Sequence, residues 1–290
     1  MSLRDAISLC ADAEWVMLKL MRSGLIGLLF LASWWGVWAR KAERPTSADP
    51  FTGGGSEIGG ADPQRAAKAI QKWSDPTAWT GKGNPENSPW FWDYSKVGQP
   101  VFIRILKASN YEGDLEVWLK GADSPVFELF KTYRIAYFSG DPGPKVKQGD
   151  YQAPEGFYFL DRGSMNPLSS FHLSMDMGYP NVFDRHHGRT GDLLMIHGNS
   201  VSVGCFAMTD VSIEQIYTLV DAALKNGQPL VRVHSFPFEM TAVNLDAHDD
   251  STHYPFWENL KEGWDWFEEK RTPPNVTVEE GEYRFGSSSS

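Results

Sequence analysis

The stretch LMIHGNSVSVGC, residues 194–205, holds the residues that decide the fold and the chemistry of this chain. A short apolar run, Leu194–Ile196, has the composition of a buried strand and places His197 at its end. A turn rich in Ser and Gly follows, and Cys205 comes directly after Gly204. The stretch therefore predicts a strand that presents an imidazole and a turn that presents a thiol.

The region downstream of this stretch predicts a helix. Thr209 or Asp210 can cap its start, and Asn226 followed by Gly227 can end it. Apolar side chains recur between these ends at helical spacing: Ile213, Ile216, Tyr217, Val220 and Leu224. Because the helix begins several residues beyond the cysteine, its dipole is expected to act only modestly on the thiol.

The region upstream predicts a mainly β core that begins near Val97. Leucine and β-branched residues occupy every second position of 101–106 and 115–119, and the turn-like segment 109–113 joins the two runs, which indicates a β-hairpin. Further strands are predicted over residues 126–138, 156–160, 171–175, 193–196 and 230–234. Further helices are predicted over residues 63–73 and 237–270. The expected fold class is α+β, mainly β at its centre.

The chain divides into five predicted parts. In residues 1–40, Lys19 and Arg22 precede the apolar run Leu25–Ala39, which is shorter than the roughly 20 residues of a membrane span and fits a secretory signal. An uncleaved N-terminal membrane anchor is the alternative, and either one predicts export of the rest. The other parts are a linker and flanking segment (41–96), a β-rich candidate catalytic domain (97–236), a C-terminal helical extension (237–285) and a flexible tail (286–290).

Composition narrows the classes of function. The 290 residues are 41% hydrophobic and 13% aromatic, as expected of a folded domain and not of a disordered chain. The net charge of −10 argues against a nucleic-acid partner, because binding a polyanion needs a basic face. Cys10 lies before the predicted signal, so Cys205 is expected to be the one cysteine of the exported part. Structural cysteines in oxidising compartments usually occur in pairs, so Cys205 is either a buried bystander or a reactive thiol.

A histidine and a cysteine at this spacing can form an activated thiol. The thiolate is the nucleophile, and a neighbouring imidazole can accept its proton and later return it to a leaving group. Glycine at 198 and 204 lets a substrate carbonyl approach the backbone, and the N–H groups of Gly204 and Cys205 are candidates for an oxyanion hole. Cys205 is thus the candidate nucleophile and His197 its candidate base. A buried cysteine beside a chance histidine is the alternative.

These residues resemble the signature of the YkuD-type L,D-transpeptidases, a His-Gly pair followed by Ser-x-Gly-Cys. Here the pair is His197-Gly198, and the second element is Ser202-Val203-Gly204-Cys205. Other segments are similar to further motifs of the family: Gly149–Gly156, and Gly178–Asn181 with Asp184. Within the family the sequence resembles the YafK-like branch, in the segments Met195–Gly198, Val201–Thr209 and Lys270–Pro274. The likeness spans about residues 97–285.

The resemblance implies a β-sandwich catalytic domain with flanking helices, and a site that uses no cofactor and no metal. It implies that Cys205 is the nucleophile, that His197 is the base and that the Gly198 carbonyl orients the imidazole. Residues expected on the oxyanion or substrate side are Gly204, Ser202, Asn181 and His187. In the family the thiolate attacks the carbonyl of an L-centre, that of diaminopimelate, in the stem peptide of peptidoglycan. An amine or water then resolves the acyl-enzyme.

Two departures from the family pattern are shared with one branch of the family, and the missing Arg weakens the analogy to cross-linking members. Most members have His where this chain has Val203, and Arg where it has Ala207. The YafK-like branch shares both departures and resembles a hydrolase that releases outer-membrane lipoprotein from peptidoglycan. The resemblance therefore implies a periplasmic enzyme that hydrolyses the diaminopimelate–lysine link between peptidoglycan and lipoprotein. The alternatives are an L,D-transpeptidase or L,D-carboxypeptidase acting on tetrapeptide stems, and a non-catalytic wall-binding module.

The sequence also contains residues that could suggest a metal site or a different class of cysteine peptidase. The spacing of His186, His187, Asp192 and His197 matches no common zinc pattern. The polar segment 246–253 is typical of a solvated turn between helices, with calcium as the less favoured interpretation. A papain-like peptidase would place its cysteine first and its histidine far downstream, which is the reverse of the order here.

Overall fold

The structure is a computed structural model that describes residues 62–77, 92–109 and 112–286. The predicted signal or anchor (1–40) lies outside these residues, as do most of the linker and most of the tail. Within the described ranges no helix combines the length and the hydropathy that a membrane crossing requires. In chain order the elements are α1 (Arg65–Ser74), β1 (Val101–Ser109), β2 (Glu112–Leu119), β3 (Glu128–Arg134), β4 (Gly156–Leu160), β5 (Met165–Asn166), β6 (Ser174–Asp176), α2 (Val182–His186), β7 (Met195–His197), β8 (Phe206–Ala207), α3 (Asp210–Lys225), β9 (Val231–Phe238), α4 (Ala242–Asp246), α5 (Tyr254–Lys270), β10 (Asn275–Glu279) and β11 (Glu282–Gly286).

The predicted hairpin is the centre of a five-stranded sheet with the order β3-β2-β1-β9-β4. β1 and β2 pair antiparallel with Ile103 opposite Val117 and Ile105 opposite Leu115, so the period-two pattern of the sequence is confirmed. β9 joins the other edge of β1 in a parallel pair. The four side chains paired between β1 and β2 are fully buried. Burying an apolar side chain of this size contributes about 1.5–3 kcal/mol to the stability of the fold.

The opposite face of β1 is buried as well, because the C-terminal extension covers it. The Phe102 ring lies 4.5 Å from that of Phe267 on α5. Arg104 binds Glu116 at 2.6 Å and Glu268 at 2.5 Å, and its guanidinium lies over the Trp264 ring at 4.1 Å. The mixed sheets and helices confirm the predicted α+β class.

A second sheet, β5-β6-β7-β8, carries the stretch that was singled out from the sequence. Helix α3 packs an apolar face on it, and Thr209 caps the helix by accepting from the Ser212 N–H at 3.4 Å. The cap and the end at Asn226 are as predicted. Helix α1 packs in turn on α3, where Glu214 accepts from Lys72 and Trp73 at 2.9 Å each.

The C-terminal extension contains the expected helices, α4 and α5, and also a β-hairpin that the sequence analysis did not predict. Strands β10 and β11 pair antiparallel with Val278 opposite Tyr283. Tyr283 is buried and stacks on Phe183 at 4.3 Å, which fixes the hairpin against α2. The extension is therefore part of the packed domain and not a separate helical appendage.

Candidate active site

His197 ends β7, an inner strand of the second sheet, and its imidazole is held in one orientation. Nδ1 lies 2.6 Å from the Gly198 carbonyl oxygen, and the ring is buried against Phe171 at 4.9 Å. Because a carbonyl oxygen can only accept, Nδ1 carries the proton and Nε2 is the basic nitrogen. The sequence expectation that Gly198 would orient the imidazole thus corresponds to an observed contact.

Position 198 admits only glycine for steric reasons. A Cβ there would lie 2.8 Å from the Oδ1 of Asp210 and 2.8 Å from the Cβ of His172. The same Asp210 carboxylate accepts from the Asn199 N–H at 2.8 Å, so the start of α3 fixes the turn that follows the histidine. The start of α3 therefore positions His197 through this turn.

Cys205 directly precedes β8, the strand that pairs in parallel with β7. β7 and β8 align Ile196 with Phe206 and His197 with Ala207. Cys205 therefore comes one position before the partner of Ile196 and two positions before the partner of His197. The pairing of the two strands brings the residue before β8 next to β7, the strand that ends at His197.

In the resting structure the thiol is not hydrogen-bonded to the imidazole. Sγ lies 3.4 Å from the Met195 nitrogen and 3.5 Å from the Leu193 carbonyl oxygen. Burial raises the pKa of the Cys205 thiol, and burial lowers the pKa of His197. The resting pair is therefore a thiol and a neutral imidazole, which is the state that a general-base mechanism starts from.

The turn before the cysteine is fixed by two hydroxyl groups. Ser202 Oγ donates to the Cys205 carbonyl oxygen at 2.7 Å. The Gly204 N–H donates to the Oγ of Ser139 at 2.7 Å, and Gly204 has a φ of +83°, a conformation that glycine adopts without strain. The Gly204 amide is thus engaged here, and its predicted part in an oxyanion hole stays a prediction that requires Ser139 to release it.

Asn181 and His187 lie against the C-terminal hairpin. The Asn181 side chain caps α2 and donates to the Phe157 carbonyl oxygen and the Tyr283 hydroxyl, both at 2.9 Å. His187 Nε2 lies 2.8 Å from the Gly281 carbonyl oxygen. The described structure gives neither residue a contact with Cys205 or His197, and their predicted contact with substrate stays a prediction.

A cavity of about 100 Å³ is lined in part by Gly204, the residue before the cysteine, and we name it the Lys145 cavity. Its lining residues are Lys145, Gln148, Gly149, Tyr151, Asp192, Leu193, Leu194, Val203 and Gly204. Sequence analysis missed Lys145 and Ser139. Asp150, the partner of Lys145, lies in the Gly149–Gly156 segment, which was the one signal that pointed to this loop.

Histidines that the sequence offered as possible metal ligands pack against other residues of the domain. His186 and His187 both lie beside Gly281, and His248 stacks on Phe238 at 4.5 Å. In the described ranges no three His, Cys, Asp or Glu residues are grouped so that they could hold a metal ion.

Comparison with known proteins identifies the family to which the chain belongs. No family model matches it. Two proteins of Escherichia coli, from strains K12 and O157:H7 and both named "Putative L,D-transpeptidase YafK", are 43% identical over 187 residues, which is 64% of this chain and 74% of each relative.

Among solved structures, the helical cell shape determining protein Pgp2 (K307A mutant) of Campylobacter jejuni aligns with a TM-score of 0.38 and 19% identity, over 59% of each chain. Bd1075 of Bdellovibrio bacteriovorus aligns with a TM-score of 0.32 and 18% identity, over 61% of this chain and 66% of its own. The identity to the Escherichia coli proteins extends over about three quarters of their length, and on this ground the chain belongs to the L,D-transpeptidase family.

Proposed function

We propose that this protein is a periplasmic cysteine hydrolase that cleaves the amide between diaminopimelate of peptidoglycan and the terminal lysine of an outer-membrane lipoprotein. The observation that carries the proposal is the parallel β7–β8 pair, which ends one strand at His197 and starts the other directly after Cys205, with Cys205 Sγ 3.4 Å from the Met195 nitrogen on β7. The Gly198 carbonyl leaves Nε2 of the imidazole as the free base. Membership of the L,D-transpeptidase family supports peptidoglycan as the substrate class.

The first half of the reaction forms an acyl-enzyme. His197 Nε2 accepts the thiol proton as Cys205 Sγ attacks the carbonyl carbon of the diaminopimelate L-centre. The Cys205 N–H is the backbone donor that we assign to the oxyanion of the tetrahedral intermediate. When the intermediate collapses, the C–N bond breaks and the imidazolium returns its proton to the leaving ε-amine of lysine. The products are a thioester on Cys205 and the released lipoprotein.

The second half returns the enzyme to its starting state. His197 takes a proton from water as the water oxygen attacks the thioester carbonyl, and the C–S bond then breaks with the proton going to sulfur. The free stem peptide leaves with a new carboxylate. The proposed mechanism keeps Nδ1 of His197 on the Gly198 carbonyl oxygen, as in the free structure, and uses Nε2 in both halves.

The raised pKa of Cys205 and the lowered pKa of His197 fit this order of events. A thiol that stays protonated at neutral pH needs a base in the transition state. A histidine that stays neutral at neutral pH is available to act as that base. The two shifts share one cause, burial of both groups in the second sheet.

The experiment is intact-mass spectrometry of products from two substrates, lipoprotein-linked muropeptide and free tetrapeptide muropeptide. We expect release of a muropeptide ending in diaminopimelate from the first substrate, with no new cross-links. Formation of muropeptide dimers would instead favour the transpeptidase. Loss of terminal D-alanine from the tetrapeptide would favour the carboxypeptidase. Turnover of neither substrate would favour a wall-binding module.

Variants test the mechanism. Cys205→Ala should abolish turnover, and His197→Ala should lower the rate by about 10²- to 10⁴-fold. The matched control is Ser200→Ala, because Ser200 is exposed in the same turn and uses its backbone N–H, not its hydroxyl, to bind Asn199. Activity retained by Cys205→Ala would refute the mechanism.

A further inference from the structure

The Lys145 cavity has a buried cation in its wall. The Lys145 side chain is 6% exposed, and its ammonium donates to the Asp150 carboxylate at 2.7 Å and to the Lys147 carbonyl oxygen at 3.1 Å. These contacts use two of the three N–H groups of an ammonium. The third has no acceptor among the residues that the structure describes, so a donor is available beside the cavity.

The loop that carries Lys145 is held rigidly by its own hydrogen bonds. The Asp150 carboxylate also accepts from the backbone N–H groups of Val146, Lys147 and Gln152, at 2.7, 2.9 and 3.1 Å. It therefore shares its negative charge among four donors, and these contacts lower its pKa despite burial. The Lys145 ammonium is thus fixed in place by Asp150, a carboxylate that is itself held by three backbone N–H groups.

Residues that contact or precede Cys205 also line the cavity. Leu193 supplies the carbonyl oxygen that lies 3.5 Å from Cys205 Sγ, and Gly204 directly precedes the cysteine. The positive charge of Lys145 also acts on the thiol, since it opposes the larger effect of burial on the pKa of Cys205. A substrate whose carbonyl meets Sγ would place its adjacent side chain at the mouth of this cavity.

The rim carries one charge of the opposite sign and two large apolar side chains. Asp192 is exposed at the rim, as are Tyr151 and Leu193, with exposed fractions of 64% and 61%. Tyr151 and Leu193 adopt positive φ angles of 58° and 54°, which are uncommon for large side chains and occur more often at functional sites. A buried ammonium and an exposed carboxylate on one cavity suit an aliphatic side chain that ends in a zwitterionic amino-acid group.

We propose that the Lys145 cavity is the subsite for the free amino-acid end of the residue whose carbonyl Cys205 attacks, with the Lys145 ammonium binding its carboxylate. This inference rests on the proposed function, and it names Lys145 as the residue that selects the substrate of that reaction. Asp192 binds the ammonium of the same group, and Tyr151 and Leu193 cover its methylene chain. The enzyme would then distinguish a diaminopimelate side chain from a lysine side chain, which has the ammonium and lacks the carboxylate.

The test uses two synthetic substrates that differ only in this carboxylate. Both have the α-carbonyl of the third stem residue joined to the ε-amine of a lysine, and the third residue is meso-diaminopimelate in one and L-lysine in the other. We expect wild type to favour the diaminopimelate substrate about 10- to 100-fold in kcat/KM, the range for one charge-assisted hydrogen bond to a buried group. In Lys145→Met this preference should fall below about threefold.

The ratio of the two rates does not depend on how much of a variant is folded, because both substrates meet the same preparation. Lys147→Met is the matched control, since Lys147 is exposed two residues away, and it should keep the wild-type ratio. A wild-type ratio near one, or an unchanged ratio in Lys145→Met, would overturn the proposal.

Failure of the proposed function would be visible separately. Binding of the two free tripeptides to Cys205→Ala, measured by calorimetry, should show the same preference and the same dependence on Lys145. If wild type hydrolyses neither substrate but this binding preference is observed, the proposed subsite is supported and the proposed hydrolysis reaction is wrong. If the binding preference is absent, the subsite is wrong.

Discussion

One buried imidazole outside the active site makes stability depend on pH. His234 lies on β9 with 1% exposure, between the rings of Phe102 and Phe157, each at 4.7 Å. In the described part of the chain neither ring nitrogen has a hydrogen-bond partner. Burial, with smaller contributions from the charges of Arg232 and Arg104, lowers the pKa of His234 well below its usual value of 6.5.

The sign and the size of the effect follow from proton linkage. The folded-state pKa is below that of the unfolded chain, so the unfolded chain binds the extra proton as the pH falls below about 6.5, and the folded state loses stability. Each pH unit in this window costs about 1.4 kcal/mol while the folded imidazole stays neutral. Between pH 7.5 and pH 5.0 the loss is about 2 kcal/mol.

The perturbation is His234→Leu, which replaces the imidazole with an apolar side chain of similar size. Urea unfolding of wild type and variant at pH 7.5 and pH 5.0 gives four free energies of unfolding. The difference between the proteins should shift by about 2 kcal/mol in favour of the variant at pH 5.0, whatever packing costs the substitution adds at both pH values. His186→Leu, at an exposed histidine, should show no such shift. An equal difference at both pH values would refute the reasoning.

Three further outcomes follow from the site and its supports. Alkylation of Cys205 by iodoacetamide should be slow at pH 7 and rise about tenfold per pH unit to beyond pH 9, because burial raises the thiol pKa; a plateau below pH 8 would contradict this. Lys107→Met should lower the free energy of unfolding by about 3–5 kcal/mol in urea titrations, because it leaves the buried Glu155 carboxylate without its cation at 2.9 Å. Ser139→Ala should lower kcat by about tenfold with little change in KM in steady-state assays, because it removes the hydroxyl that fixes the Gly204 turn before Cys205; a rise in kcat would instead show that the Gly204 amide acts when Ser139 releases it.

The local part of this fold was readable from the sequence. The hairpin of β1 and β2, the strand Gly156–Leu160 and the capped helix α3 all occur where the period of the side chains predicts them. The choice of His197 and Cys205 as a candidate pair was also readable, because Cys205 follows His197 by eight positions and one short turn joins the two strands. Local periodicity and turn residues act over such distances, so one segment carries the whole signal.

The hairpin of β10 and β11 was missed although its signal is present. Val276 and Val278 alternate with polar residues, and so do Tyr283 and Phe285, with Gly281 between the two runs. The strands are short, and a two-stranded hairpin is marginal by itself. Only the packing of Tyr283 on Phe183 and Phe157 makes it part of the domain.

By itself the sequence determined the strand and helix pattern, the family resemblance and the pair of residues at the candidate active site. The tertiary structure decided which side chains surround that pair. Lys145 and Ser139 lie 60 and 66 positions before Cys205, and no periodicity connects them to it. They reach the site because the buried Lys107–Glu155 pair and the bonds of Asp150 fix the course of the loop between β3 and β4. Contacts of this kind depend on where distant segments pack, and that is set by the whole core and not by any local pattern.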